Sequence, residues 1–124
     1  AGVSADAPWS DTVYKQVRYG GCPVAKFSPG KATYPGPKQV WRCFDKSDGR
    51  IVHDHLTTAD AEPPERIALP LLGEVMRDGT LVGELPSLEQ VRERARGELG
   101  RLPISALALS GATPVAVSVS DELK

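Results

Sequence analysis

The chain has 124 residues, of which 40% are hydrophobic and 25% charged, with a formal net charge of −1. This length suits one small domain with a modest core, and the composition is typical of a folded protein, which argues against disorder. The balanced charge argues against nucleic acid as a partner, because phosphate neutralisation needs a clustered basic surface, and no run of about twenty apolar residues exists to span a membrane.

Prolines and glycines divide the first two thirds of the chain into short segments, which predicts a strand-rich region over residues 11–85. Three antiparallel hairpins are expected there. Their turns are Gly20-Gly21, residues 45–49 and Asp78-Gly79, each with the glycine that tight turns favour. The predicted strand pairs are residues 13–19 with 22–27, 39–44 with 51–56, and 69–76 with 80–82.

One amphipathic helix is predicted over residues 87–102. Ser87 is a favourable N-cap residue, and Gln90 stands three positions later, which is the spacing of a capping box. Pro103 ends the helix. Its apolar residues form one narrow stripe, and its charged face is expected to be solvated; the stripe consists of Leu88, Val91, Ala95, Leu99 and Leu102.

A final strand is predicted over residues 114–119, where valines alternate with small residues. The sequence thus predicts an α+β fold of antiparallel hairpins with one C-terminal amphipathic helix, in a single region over residues 1–124. Hairpins in so short a chain leave strand edges that need a partner or a cover.

The two cysteines and two histidines are the residues that could supply soft metal ligands or a catalytic nucleophile and base. Cys22 and Cys43 are too few for a disulfide-framed secreted scaffold, which predicts reduced thiols and a cytoplasmic location. His53 and His55 are expected on the same strand face. The cysteines lack the close spacing of known structural zinc sites. We therefore predict no metal ligand and no catalytic residue, with a small metal-binding domain as an alternative.

Several stretches resemble the C-terminal portion of nicotinate phosphoribosyltransferases. A Ser-x-Asp-x-Pro run from Ser4 leads into Val13-Tyr14-Lys15, and residues 24–42 follow the family's Lys-x-Ser-x-Gly-Lys-x-Thr-x-Pro-Gly-x-Lys-x-Val-x-Arg pattern. The later hairpin, the helix that begins at Pro86-Ser87-Leu88 and the closing segment at Pro114 are also similar. The resemblance covers nearly the whole chain.

The resemblance implies the C-terminal part of a type II phosphoribosyltransferase. Such an enzyme joins nicotinate to phosphoribosyl diphosphate in NAD biosynthesis and requires ATP and magnesium. Its catalytic residues are expected outside this chain, which would bind no cofactor itself and would be inactive alone. The implied partner is the catalytic barrel portion or a second subunit. Possible substrate contacts are Ser4, Lys31, Lys38 and Arg42, and a non-catalytic dimerisation or regulatory module is the other alternative.

Overall fold

The computed structural model describes residues 15–27, 29–30 and 33–124. The chain divides into two compact units, residues 1–37 and 38–124. In the first unit, β1 (Arg18–Tyr19) and β2 (Cys22–Pro23) form an antiparallel hairpin. The turn between them is possible because Gly20 and Gly21 adopt φ angles of 54° and 84°, which suit glycine. This hairpin confirms the predicted turn, although its strands are shorter than expected.

The second unit contains a longer hairpin of β3 (Lys38–Phe44) and β4 (Ile51–Thr58), which confirms the second predicted hairpin. Its turn is fixed by local contacts. The Ser47 N–H donates to Asp45 Oδ1 at 2.7 Å, and Gly49 adopts a φ of 69°.

The strand predicted over residues 69–76 is wrong in extent. β5 (Ala68–Pro70) is only three residues long and pairs antiparallel with the outer edge of β3. Beyond it, a side-chain amide replaces the strand ladder: Gln39 Nε2 donates to the Leu72 carbonyl, and Gln39 Oε1 accepts from the Leu72 N–H, both at 3.0 Å. The chain therefore stays attached to β3 without continuing as a strand.

The third predicted hairpin is also confirmed in a short form. β6 (Met76–Arg77) and β7 (Thr80–Leu81) pair antiparallel around Asp78 and Gly79. Both turn residues have positive φ angles, of 50° and 79°, as a type I′ hairpin turn requires.

The predicted helix is present as α1 (Leu88–Arg101), and its capping box is confirmed. Ser87 Oγ accepts from the Gln90 N–H at 3.2 Å, and Gln90 Oε1 accepts from the Ser87 N–H at 2.7 Å. At the other end the Leu102 N–H donates to the Leu99 carbonyl at 3.2 Å. The structure describes every residue of α1, and none of them is buried in it.

The fold is not made of antiparallel hairpins alone, which corrects the prediction. β8 (Ala116–Val119) lies parallel to β4, and the sheet order is β5–β3–β4–β8. A parallel neighbour needs a long crossover connection, and α1 lies within the segment that returns the chain to β4. The α+β class itself agrees with the observed elements.

The buried side chains of the second unit lie at both ends of the β3–β4 hairpin and in the C-terminal residues. Cys43, Phe44 and Ile51 lie near the turn, Thr57 lies near the open end, and Leu123 lies close to the C-terminus. Many large apolar side chains between residues 67 and 109 remain exposed. Within the described residues, no helix has the length and apolar character needed to cross a membrane.

Candidate functional site

Two groups of polar side chains of the second unit lie on the β3–β4 hairpin. Arg42 lies opposite Asp54 in the antiparallel register, and the next pair is Cys43 opposite His53. Directly opposed residues share one face of a sheet, and successive residues alternate between faces. The two pairs therefore place one polar cluster on each face of the hairpin.

The first cluster, which we call the ion-pair cluster, consists of Arg42, Asp54 and Glu98. Arg42 Nε and Nη2 donate to the two carboxylate oxygens of Asp54 at 2.9 Å each, a bidentate geometry. Arg42 Nη1 donates to Glu98 Oε2 of α1 at 3.0 Å. Hydrogen bonding to Asp54 is the main cause that raises the pKa of Arg42, so the guanidinium is held charged between two carboxylates.

The second cluster, which we call the ligand cluster, consists of Cys43, His53 and Glu65. One potential metal-ligating atom of each residue lies within 4.8 Å of those of the other two. His53 Nε2 and Glu65 Oε1 are 3.8 Å apart. The Cys43 side chain is fully buried, and burial is the main cause that raises the pKa of its thiol, with the charges of Glu65 and Asp54 contributing.

His55 lies beside the ligand cluster without belonging to it. Its ring stands 6.5 Å from that of His53 in an edge-on arrangement, which agrees with the prediction that both side chains share a strand face. His55 Nδ1 lies 2.6 Å from Ser118 Oγ of β8, so this ring nitrogen is already in a hydrogen bond.

The C-terminal end of α1 is attached to the hairpin by charged side chains. Arg50 Nη1 donates to the Leu102 carbonyl at 2.7 Å, and the Arg101 guanidinium lies 5.4 Å from the centroid of the Phe44 ring, within cation–π range. The prediction of a fully solvated charged helix face is therefore wrong for Glu98, which contacts Arg42. Glu98 and Arg101 both contact β3 residues from the last turns of the helix.

Two of the four predicted substrate contacts, Ser4 and Lys31, lie outside the described residues. Lys38 begins β3, and burial lowers the pKa of its amine. Lys38 and Arg42 point to the same face of the strand but stand four positions apart, about 13 Å along it. The structure brings Arg42 together with Asp54 and Glu98, not with Lys38.

The sequence prediction did not give the ion-pair cluster, and its metal-binding alternative through Cys22, Cys43 and His53 or His55 did not include Glu65. A hairpin that folds about Asp48 pairs residues at equal distances from it. Cys43 and His53 are each five positions away, and Arg42 and Asp54 are each six positions away. The predicted strands and turn place these residues near one another across the hairpin, whereas Glu65 comes from a separate segment and has no such signal.

The sequence of the chain is similar to those of known nicotinate phosphoribosyltransferases. Residues 67–124 match the family model described as the nicotinate phosphoribosyltransferase C-terminal domain. The chain is 37% identical over 120 residues to nicotinate phosphoribosyltransferase pncB2 of Mycobacterium tuberculosis, covering 94% of this chain and 25% of that protein. It is 30% identical over 139 residues to the mouse nicotinate phosphoribosyltransferase, covering 94% of this chain and 26% of that protein.

A solved structure agrees with these sequences. The crystal structure of human nicotinic acid phosphoribosyltransferase superposes with a TM-score of 0.76 at 28% identity, covering 90% of this chain and 25% of that one. The chain therefore spans about a quarter of the length of the relatives it matches. The α+β fold of this chain is therefore similar to part of a phosphoribosyltransferase. The resemblance expected from the sequence is confirmed: almost the whole chain is similar to nicotinate phosphoribosyltransferases, and residues 67–124 match the model of their C-terminal domain.

Proposed function

We propose that this chain acts as the C-terminal portion of an enzyme that joins nicotinate to phosphoribosyl diphosphate, a glycosyl transfer in NAD biosynthesis, and that it is inactive alone. The single observation that carries the proposal is the coverage: relatives of this name match almost the whole chain, yet the chain spans a quarter of each. The catalytic residues, and the use of ATP and magnesium, would then belong to the rest of the enzyme. A cytoplasmic location is part of the same proposal.

The exposed apolar stripe of α1 supports a role as part of a larger protein. Leu88, Val91 and Leu99 are 62%, 36% and 57% exposed, although the helix is well capped and carries its apolar residues on one side. A contiguous apolar stripe in water is unfavourable and marks a surface that another polypeptide covers. We propose that the remaining three quarters of the enzyme cover it, because the relatives contain that additional length.

The four predicted substrate contacts remain part of this proposal. For Arg42, contact with a substrate phosphate would require the guanidinium to exchange one of its carboxylate partners, and Glu98 is the more exposed of the two. Ser4, Lys31 and Lys38 are proposed to contact phosphate groups or a neighbouring subunit.

The test compares the chain alone with a chimera in which it replaces the matching quarter of the mycobacterial enzyme. We expect no nicotinate mononucleotide from the chain alone and measurable product from the chimera, because only the chimera contains the catalytic portion. Turnover by the isolated chain contradicts the proposal. A chain that forms a discrete oligomer and does not associate with the catalytic portion indicates a dimerisation module instead.

The covered stripe has its own test in the same system. Leu99→Lys places a charge on the apolar stripe and should weaken association of the chain with the separately expressed catalytic portion. Glu93→Lys is the matched control, because it introduces the same residue on the exposed charged side of α1, where Glu93 has an 82% exposed side chain. Equal effects of both substitutions argue against the stripe as the contact surface.

A further inference from the structure

The ligand cluster is the strongest grouping of potential metal ligands among the described residues. Its members come from three separate places in the chain. Cys43 and His53 face each other across the β3–β4 hairpin, and Glu65 lies in the segment that leads to β5. That segment is held to β3 because the Phe44 N–H donates to the Ile67 carbonyl at 3.2 Å, which fixes the backbone two residues beyond Glu65.

We propose that Cys43, His53 and Glu65 bind one divalent transition-metal ion of the zinc class. Thiolate, imidazole and carboxylate are the three side-chain ligands that zinc uses, whereas magnesium and calcium prefer oxygen alone. With bond lengths of 2.0–2.3 Å, a tetrahedral zinc ion places its ligand atoms about 3.3–3.6 Å apart. His53 Nε2 and Glu65 Oε1 are already 3.8 Å apart, and no pair in the cluster exceeds 4.8 Å.

Small side-chain rotations bring these atoms to bonding distance. The two residues of the hairpin are anchored by the strand ladder, so the metal would draw the more exposed carboxylate inward. The Glu65 side chain is 49% exposed and that of His53 is 26% exposed. The least constrained ligand is therefore the one that must move.

The burial of the three residues also fits a metal with one open position. Cys43 lies at the closed end of the cluster, and Glu65 lies at its rim. Three protein ligands leave the fourth tetrahedral position to water on the solvent side. A cation there would also balance the negative charge that a thiolate and a carboxylate contribute.

A nucleophilic role for the same residues is less consistent with the structure. Cysteine, histidine and a carboxylate also occur together in nucleophilic sites, but the thiol must then reach a substrate. Cys43 has no exposed surface. A metal ion is much smaller than a substrate and can be enclosed by its ligands. The burial of the Cys43 thiol is therefore compatible with metal binding.

The consequence of binding is structural. The ion would link both strands of the hairpin to Glu65. It would thereby hold the segment between β4 and β5 against the hairpin. This role is independent of the catalytic proposal above, and it revises the expectation from the sequence that the chain binds no metal.

The test uses the purified full chain titrated with Co²⁺ and with Zn²⁺. We expect one ion per chain, a near-ultraviolet thiolate-to-cobalt charge-transfer band, and a higher melting temperature with Zn²⁺, because the folded state binds the ion. The chain has two cysteines, so Cys43→Ser should abolish the band and Cys22→Ser should retain it.

Glu65→Gln removes one proposed ligand without changing a buried side chain. His55→Gln is the matched control, because His55 is a neighbouring residue outside the ligand cluster. Substitution of residues that only hydrogen-bond to metal ligands weakens metal binding by about tenfold or more, so loss of the direct ligand Glu65 should weaken Zn²⁺ binding by at least about tenfold. His55→Gln should change Zn²⁺ binding by less than about twofold, because His55 lies outside the ligand cluster. Absence of stoichiometric binding overturns the proposal. So does binding that is unchanged in both Glu65→Gln and His53→Gln, or a cobalt band that depends on Cys22.

Discussion

Replacement of Arg42 by methionine tests whether the ion-pair cluster holds the second unit together. The substitution removes both bonds to Asp54 and leaves that carboxylate without its partner, with a side chain only 15% exposed. Removing one member of a fully buried pair costs about 3–5 kcal/mol. Since Arg42 and Asp54 keep 22% and 15% of their side-chain surface, we expect a smaller loss, about 2–3 kcal/mol of the free energy of unfolding.

Glu98→Gln is the internal comparison. It removes the other carboxylate partner of Arg42, but this side chain is 39% exposed, so solvent screens the pair. We expect a loss below about 1 kcal/mol. Arg42→Lys should fall between the two variants, because an ammonium keeps the charge but cannot make the bidentate contact.

Equilibrium unfolding in urea measures these differences. Trp41 reports the hairpin through its fluorescence, since its indole N–H donates to Thr57 Oγ1 at 3.2 Å across the strands. A double-mutant cycle between Arg42 and Asp54 separates their coupling from the cost of each substitution. If Arg42→Met costs no more than Glu98→Gln, or if the cycle shows no coupling, the reasoning from buried bidentate pairing is refuted.

Three further predictions concern local structure, and each uses the unfolding free energy or a titration. Gly49→Ala should destabilise the chain by about 1 kcal/mol because of its positive φ, whereas Gly97→Ala inside α1 should stabilise it by about 0.5–1 kcal/mol; effects of the same sign would contradict the backbone explanation. Ser87→Ala should cost about 1 kcal/mol through loss of the helix cap, and an unchanged stability would show that the capping box contributes nothing. The hydrogen bonds from Ser47 lower the pKa of Asp45 below its ordinary 3.8, so this stabilisation is present above that pH and is lost as the pH falls through the lowered pKa. An NMR titration of the Asp45 carboxyl should show the pKa rising toward 3.8 in Ser47→Ala, and an unchanged pKa would contradict the assignment.

The local features of this fold were predictable, because their causes lie within a few residues of one another. The turns at Gly20-Gly21 and Asp78-Gly79 follow from the positive φ angles that these residues accept. The helix start follows from Ser87 and Gln90, which satisfy each other's backbone groups. Such contacts do not depend on the rest of the molecule, so the sequence alone predicts them.

The non-local features were not predictable in the same way. The parallel pairing of β8 with β4 depends on packing and on the crossover connection between them. No local sequence pattern near Ala116 predicts this parallel pairing. β5 ends at Pro70, and the chain beyond it is held at Leu72 by the side-chain amide of Gln39, which lies on another strand. Glu65 joins the ligand cluster only because the segment before β5 folds back onto β3.

The second unit relies on a few specific polar links because its buried core is small. Among the described residues, its buried apolar side chains are limited to Cys43, Phe44, Ile51 and Leu123, of which only Cys43 is fully buried. Such a core contributes little stabilisation, and α1 buries none of its own residues against the sheet. The helix is instead held at its C-terminal end through Arg42 and Arg50 of the hairpin. It follows that Glu98→Gln, which weakens the link from Arg42 to α1 but leaves the bidentate pair with Asp54 in place, should increase hydrogen exchange in α1 more than in β4.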